Sequence, residues 1–313
     1  MDLMQPMRLL PAFKDYLWGG RRLVTDFNKK CNFNKVAESW ELSTHKDGSS
    51  IISGGDFDGM LFRDYVEKYR ESVLGKNALA FDFFPILIKF IDAKDSLSVQ
   101  VHPDDEYARR VEGEYGKTEM WYILDCDEGA SLYYGMNRKI DKTEFLERIE
   151  NNTICEVLNR VPVKKGDVFF IEAGTVHAIG SGIVICEIQQ NSNTTYRVYD
   201  YDRRDKNGNP RELHIAKAAD VARLEPNEKK DFGSGDILAK CKYFTVKKAK
   251  VAGDVCFKFD DSCFKSIIVT DGAGTLSIGD YTLPLRKGDS IFIPAQNADC
   301  TVSGKCELII SDV

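Results

Sequence analysis

The sequence predicts a mostly β protein built as two β-barrels or jelly rolls with a few short helices. Three observations support this fold class. Short runs rich in valine, isoleucine and aromatic residues recur between turn signals, patterns of helical period are few, and one stretch of the chain is repeated. β-branched and aromatic side chains suit the half-buried surface of a sheet. A repeated antiparallel unit is typical of barrels and jelly rolls.

The predicted strands are runs of four to eight residues bounded by turn signals. They lie at 86–91, 97–102, 120–124, 168–171, 183–189, 243–250, 266–270, 290–293 and 308–311. Three helices are predicted as well. Apolar residues at three- and four-residue spacing indicate a helix over 62–73, a capping-box-like signal indicates one beginning after Asp141, and a third is predicted over 214–224.

An internal repeat divides the chain into two parts. Residues 163–179 align with residues 285–301 at a constant offset of 122, and both copies contain Lys-Gly-Asp followed by a strand. Upstream, 123–132 resembles 268–276, and the first copy carries about 22 extra residues between its halves. Residues 224–235 are charged and glycine-rich, as a linker would be. We therefore predict one domain over 1–234, with helical insertions, and a second over 235–313.

Composition excludes several classes of protein. The 313 residues are 43% hydrophobic and 29% charged, which is typical of a globular chain. The net charge of −6 disfavours nucleic acid as a partner, and no apolar run is long enough to span a membrane. No signal peptide is evident at the start. Nine cysteines, irregularly spaced and without a CxxC, predict reduced thiols and a cytoplasmic location. The oligomeric state stays open.

Three segments carry residues that ligate metals. Gln100 and His102 alternate with apolar residues and would share one strand face, Glu119 opens the next strand, and His177 follows a glycine turn. Neutral imidazoles, a carboxylate and an amide oxygen suit a borderline divalent ion such as zinc, with positions left for substrate or water. The alternative is that these histidines are structural.

The repeat favours the metal interpretation. At the position of His177 the second copy has Asp299, although the surrounding turn and strand pattern is kept. The fold therefore does not require a histidine at this position. A role that is specific to the first copy must account for His177. The sequence predicts a metal site in the first domain and a second domain without metal.

Two features beside this site suggest a polar cavity. Glu187, Gln189 and Asn191 would share one strand face, which either lines a cavity or forms a solvated edge. Lys117 shares the face of Glu119 and either reaches the same cavity or is solvated. Arg197 lies beyond the stripe.

Arg197 has two interpretations. Its rigid guanidinium fork could clamp a phosphate or another oxyanion. The alternative is a surface ion pair with the nearby Asp200 or Asp202.

At these residues the sequence resembles the type I mannose-6-phosphate isomerases, members of the cupin superfamily, and its length is similar to that of their short bacterial form. The matching runs, in the family's order, are Trp18-Gly-Gly, Ala37-Glu-Ser-Trp40, residues 84–94, Leu97-Ser-Val-Gln-Val-His-Pro103, Lys117-Thr-Glu119, Gly174-Thr-Val-His-Ala178 and Asn193-Thr-Thr-Tyr-Arg197.

The resemblance implies one zinc ion per chain in the first domain, held by Gln100, His102, Glu119 and His177. It also implies that Arg197 is the active-site arginine, while Glu187 lines the catalytic site and Lys117 and Arg197 bind a sugar phosphate. The expected reaction interconverts mannose 6-phosphate and fructose 6-phosphate through an enediolate.

Two other functions remain open from the sequence. Another metal-dependent cupin enzyme, such as an iron dioxygenase or a different sugar-phosphate isomerase, would use the same pair of histidines and carboxylate. A non-catalytic sugar-binding module would need neither a metal nor a base.

Overall fold

The fold is mostly β, as predicted. The computed structural model describes residues 4–204, 207–227, 232 and 235–313. In chain order, its strands are β1 (Met7–Leu10), β2 (Ala12–Lys14), β3 (Glu38–Leu42), β4 (Ile51–Ser53), β5 (Ile86–Ala93), β6 (Val99–Val101), β7 (Glu119–Cys126), β8 (Ser131–Met136), β9 (Leu158–Pro162), β10 (Val168–Ile171), β11 (His177–Ala178), β12 (Ile183–Gln190), β13 (Tyr196–Tyr199), β14 (Ile237–Lys240), β15 (Thr245–Phe259), β16 (Lys265–Ile278), β17 (Tyr281–Arg286), β18 (Ser290–Ile293) and β19 (Ala298–Asp312).

The helices are few and short. They are α1 (Arg22–Thr25), α2 (Phe62–Val73), α3 (Gly75–Leu79), α4 (Asp105–Val111), α5 (Lys142–Glu150) and α6 (Ile215–Val221), with 3₁₀ turns at Gly55–Phe57 and Ile154–Val157. The three predicted helices correspond to α2, α5 and α6. The capping signal of α5 is confirmed, because the Asp141 side chain accepts a hydrogen bond from Glu144 N at 2.8 Å. Among the described residues, every helix is too short or too polar to cross a membrane.

Three antiparallel sheets organise the strands. A six-stranded sheet has the order β10-β7-β12-β5-β3-β2, and a five-stranded sheet the order β13-β6-β11-β8-β9. An eight-stranded sheet has the order β14-β15-β19-β16-β18-β1-β4, with β17 paired to β16. Among the described residues, none of the three sheets closes on itself into a barrel. The arrangement as two barrels stays a prediction.

All nine predicted strands are present, but three of them are longer than expected. β15, β16 and β19 continue for 14 or 15 residues, because their outer halves pair with one another beyond the apolar runs. These outer halves alternate charged, small and apolar side chains and contain glycines, so the sequence pattern was weaker there.

The N-terminal strands join the sheet of the C-terminal part. Met7 of β1 pairs with Phe292 of β18, and Leu9 pairs with Ile52 of β4. β1 was missed because Met-Arg-Leu-Leu contains no β-branched or aromatic residue, and β4 because it has only three residues. The division into 1–234 and 235–313 stays a prediction. Of the proposed linker at 224–235, residues 228–231 and 233–234 lie outside the described residues.

The repeat is confirmed in local structure. Gly166 and Gly288 both have φ of +92°, a value that disfavours other residues. In each copy the aspartate after the glycine accepts from a backbone N–H three residues earlier, Lys164 in the first and Arg286 in the second. The Lys-Gly-Asp pattern therefore encodes the same turn twice.

The two turns differ in what surrounds them, which gives a stability prediction. A Cβ at Gly166 would meet nothing closer than Tyr122 Oη at 4.0 Å, whereas one at Gly288 would lie 2.0 Å from Phe27 O. Gly166→Ala should cost only the backbone strain, about 1–3 kcal/mol. Gly288→Ala should cost a further ~1–3 kcal/mol, because backbone atoms must move apart. Urea unfolding of both variants measures this difference, and equal losses would contradict it.

Candidate metal centre

The predicted metal ligands come from strands of two facing sheets. Gln100 lies on β6 and pairs with His177 of β11 in the five-stranded sheet, and His102 directly follows β6. Glu119 is the first residue of β7 in the six-stranded sheet, where it pairs with Gln189 of β12. The two sheets therefore bring these residues together from distant parts of the chain.

The three residues form one compact and buried group. His177 Nε2 lies 3.3 Å from Glu119 Oε1, and His102 Nε2 lies 3.7 Å from Glu119 Oε2. All three ligand atoms lie within 4.8 Å of one another, and none of the three residues is more than 1% exposed. Such a set can hold a metal ion with positions left open.

Backbone carbonyl groups fix the orientation of both imidazoles. His102 Nδ1 lies 2.9 Å from Thr194 O, and His177 Nδ1 lies 2.8 Å from Thr175 O. A carbonyl oxygen only accepts, so each Nδ1 carries the proton and each Nε2 of a neutral ring keeps its lone pair. Burial lowers the pKa of His177 to about 4 and that of His102 well below its usual value. Both rings are therefore neutral, as a metal ligand requires.

Glu119 supplies the strongest indication that a cation fits here. Its two carboxylate oxygens are buried and accept no well-directed hydrogen bond from the described residues, although Lys117 Nζ lies 2.8 Å from Oε2. Burial, reinforced by the nearby Glu187, raises the pKa of Glu119 above its usual value, so a neighbouring cation is needed to keep it ionised. Lys117 Nζ also lies 3.2 Å from His102 Nε2, so a cation already faces these donor atoms. Two imidazole nitrogens and a carboxylate are the donor set that a divalent ion satisfies.

A cavity of about 350 Å³ opens next to this group. Four residues predicted for the site from sequence line it, namely Gln100, Lys117, Glu187 and Arg197. Gln100 is half-buried, with its amide nitrogen 3.4 Å from His177 Nε2. The volume lies within the range of small-molecule sites.

Arg197 is held at the rim of this cavity by neutral groups. Its Nε donates to Ser98 Oγ at 3.2 Å and its Nη1 donates to Glu212 O at 2.9 Å. Asp200, the alternative partner, pairs instead with Arg203 and Arg211. In the described residues the guanidinium thus keeps its charge available toward the cavity.

The polar stripe after His177 is only partly a cavity lining. Glu187 lines the cavity, but Gln189 is buried beneath it and donates to Gln190 O and Ser192 O. Asn191 faces a separate cavity and donates to Thr44 Oγ1 at 3.0 Å. Only the first member of the stripe therefore belongs to this site.

Sequence reasoning missed a buried charge network around Glu187. Lys89 Nζ lies 3.6 Å from both Glu187 Oε1 and Glu38 Oε2, and Trp121 donates to Glu187 Oε2 at 2.9 Å. Burial alone would raise the pKa of Glu187, but Lys117 and Lys89 outweigh it and hold this pKa below its usual value. Lys89 stands in the apolar run 86–91, and an ionisable residue in a strand buried on both faces was the available signal.

Lys117 is affected in the opposite sense. Burial alone would lower its pKa, but the nearby Glu119 and Glu187 outweigh burial and raise this pKa above its usual value. Lys117 and Glu187 are both charged, and both line the cavity. The cavity therefore offers fixed cations and an anion to a polar ligand, beside a group of metal-binding side chains.

A buried His–Glu–His group between antiparallel sheets, beside a charged cavity, defines a metal-binding β protein with the features of an enzyme. A family model described as "Phosphomannose isomerase type I, catalytic domain" matches residues 7–130, and one described as "Mannose-6-phosphate isomerase, cupin domain" matches residues 236–313. The predicted cupin relationship is therefore confirmed.

Individual proteins match over nearly the whole chain. Mannose-6-phosphate isomerase ManA of Bacillus subtilis is 39% identical over 316 residues, and the match covers 98% of both chains. The mannose-6-phosphate isomerase of Streptococcus mutans is 37% identical over 314 residues, also covering 98% of both. The crystal structure of mannose 6-phosphate isomerase from Bacillus subtilis has a TM-score of 0.90 at 38% identity, and covers 99% of this chain and 100% of that one. The chain belongs to the type I phosphomannose isomerases, an enzyme family.

Proposed function

We propose that the protein interconverts mannose 6-phosphate and fructose 6-phosphate, with one zinc ion held by His102, Glu119 and His177 and by Gln100 as a fourth ligand. The observation that carries the proposal is the buried His–Glu–His group, which contacts Lys117 and Gln100 of the charged cavity. The names of the whole-length relatives support the substrate.

The reaction defines what the site has to do. It moves one hydrogen from C2 to C1 of the sugar and one proton from O2 to O1, through an enediolate. A bound divalent ion polarises the carbonyl group and stabilises the charge that develops on oxygen. The protein must hold the sugar, hold the phosphate and provide groups that accept and return protons.

The charged side chains of the cavity fit these tasks. Glu187 Oε1 is buried and has no hydrogen-bond partner among the described residues, so it can accept a proton or a hydrogen bond from the sugar. Lys117 lies between Glu119 and Glu187, at 2.8 and 3.8 Å, and can donate to a sugar oxygen. Arg197 at the rim can bind an oxyanion through two parallel N–H groups.

The Gln100 amide is the least buried of the proposed ligands. Its nitrogen points toward His177, and a half-turn about the last side-chain bond exchanges the amide nitrogen and oxygen. That exchange would bring the oxygen, which is the ligating atom, to the same position.

We propose in addition that residues 1–234 form the catalytic domain and residues 235–313 a cupin-like domain that binds no metal. The separate family models for 7–130 and 236–313 support this division. The proposed catalytic domain contains every histidine of the chain.

We propose a cytosolic location on the basis of the cysteine pattern. Cell fractionation tests this location.

Removal and return of the metal tests the proposed function. Purified protein should convert mannose 6-phosphate in a coupled assay, lose this activity after chelation, and regain it on addition of stoichiometric Zn²⁺. The rate should be the same in air and under argon, because isomerisation consumes no oxygen. A requirement for oxygen would favour the dioxygenase alternative. Activity unaffected by complete metal removal would contradict the proposal.

A further inference from the structure

The C-terminal part of the chain contacts the helix that follows the proposed metal ligand His102. We call residues 235–313 the second module. Tyr243, in the turn between β14 and β15, donates its hydroxyl proton to Asp105 Oδ2 at 2.7 Å. Asp105 is the first residue of α4, three residues after His102. The hydroxyl group therefore reaches from the second module to the metal-binding region.

The other oxygen of Asp105 holds the segment that leads into β7. Oδ1 accepts from Gly116 N at 2.9 Å and from Gln190 Nε2 at 2.7 Å. Gln190 Oε1 in turn accepts from Thr118 N at 2.9 Å. These bonds fix the backbone on both sides of Lys117, and Thr118 immediately precedes Glu119.

The same segment has no space in which to shift. A Cβ at Gly116 would lie 2.4 Å from Asp104 C, so the two backbones are in contact, and Lys117 N donates to Pro103 O at 2.9 Å. A shift of Asp105 should therefore also shift Lys117 and Glu119. Asp105 has one carboxylate oxygen bonded to this segment and the other bonded to Tyr243.

We propose that Tyr243 is a positioning residue of the site, and that the second module contributes to metal binding and turnover by orienting Asp105. The catalytic part of this inference rests on the proposed function, whereas the metal-binding part does not. Groups that bond directly to a metal ligand typically change metal affinity or activity by about 10–100-fold when they are removed. Tyr243 acts through Asp105 and the backbone of 116–118, so we expect a smaller change, of about 3–30-fold.

Tyr243→Phe tests the proposal, because it removes one hydroxyl and keeps the ring. The neighbouring Phe244 and Val246 pack in the same hydrophobic core as Met120, so the module should remain attached. The matched control is Tyr107→Phe. Tyr107 lies on the same helix α4, and its hydroxyl also donates to a carboxylate, Asp220, at 3.2 Å, but on the surface.

The measurements are the dissociation constant for Zn²⁺ alone, by competition with a chelator, and kcat and KM for mannose 6-phosphate. In Tyr243→Phe we expect zinc affinity or kcat, or both, to fall by about 3–30-fold with KM little changed, while Tyr107→Phe matches the wild type. If the Tyr243 hydroxyl were purely structural, Tyr243→Phe, like Tyr107→Phe, would lower the unfolding temperature and would leave the zinc dissociation constant and kcat unchanged.

A second variant guards against misfolding of the first. Asp105→Ala removes both carboxylate oxygens, so Gly116 N and Gln190 Nε2 lose their acceptor and zinc affinity should fall at least as far. Wild-type zinc affinity and kcat in folded Tyr243→Phe would overturn the proposal. The two proposals can fail separately. If the Tyr243 and Asp105 variants bind zinc more weakly but even the wild-type protein shows no isomerase activity, the proposed function is contradicted and the positioning role is still supported.

Discussion

Replacing His102 with alanine should abolish stoichiometric zinc binding and nearly all isomerase activity. The imidazole is 1% exposed and its Nε2 lies 3.7 Å from Glu119 Oε2. Among the described residues, the three side chains His102, Glu119 and His177 form the only such group, so losing one leaves two protein ligands from it. Loss of one oxyanion donor costs about 10²–10³ in kcat in other enzymes. The loss here should be larger, because the whole electrophilic centre depends on the ligand. Zinc content by elemental analysis and the coupled assay measure the two effects.

His45→Ala is the matched control for this experiment. His45 is also buried, at 7% exposure, but it lies against Trp40 and Glu114 rather than the metal group. This variant should keep its zinc. His177→Ala should behave like His102→Ala. Both variants should lose most of their activity while their unfolding temperatures stay close to that of the wild type. Full zinc occupancy in either ligand variant would contradict the site.

Arg197→Ala should lower kcat by about 10²–10³-fold with little change in KM, if the guanidinium stabilises the enediolate. Its Nε and one Nη are already bonded to Ser98 and Glu212, which holds the group at the rim of the cavity. Arg197→Lys keeps the charge and loses the planar fork, so it should recover little of the loss. Steady-state kinetics of both variants measure the split between kcat and KM.

Arg203→Lys provides the comparison for Arg197. Arg203 lies on the same stretch of chain and is half-buried, but it pairs with Asp200 and does not line the cavity. It should have near-normal kinetics, and all three variants should retain zinc. A rise in KM alone in Arg197→Ala would assign the arginine to the phosphate group. Near-normal turnover and affinity would show that Arg197 has no catalytic role.

The β class and the metal group were both predictable from the sequence, for related reasons. The run 168–171 is apolar throughout and 290–293 is apolar apart from Ser290, and both strands are buried or half-buried, so pattern and structure coincide. His102, Glu119 and His177 stand at strand ends, where a polar side chain interrupts an apolar pattern. The substitution of His177 by Asp299 in the repeat distinguished a functional residue from one that the fold requires.

Long-range pairing could not be predicted in the same way. The sequence contains no sign that β1 pairs with β18, because the register depends on strands almost 300 residues apart. Lys89 was overlooked since its charge is compensated by Glu38 and Glu187, two residues from other strands. The predicted polar stripe extended too far along the chain. Asn191 lies one residue beyond the end of β12 and lines another cavity.

Anomalous diffraction from a crystal of the zinc-loaded protein, recorded at the zinc absorption edge, tests the central claim most directly. We expect one strong peak per chain between His102, Glu119 and His177, about 2.0–2.2 Å from their nitrogen and oxygen atoms. We expect no peak in residues 235–313. The absence of density among these three side chains, or a full-occupancy zinc ion bound elsewhere, would contradict the central claim.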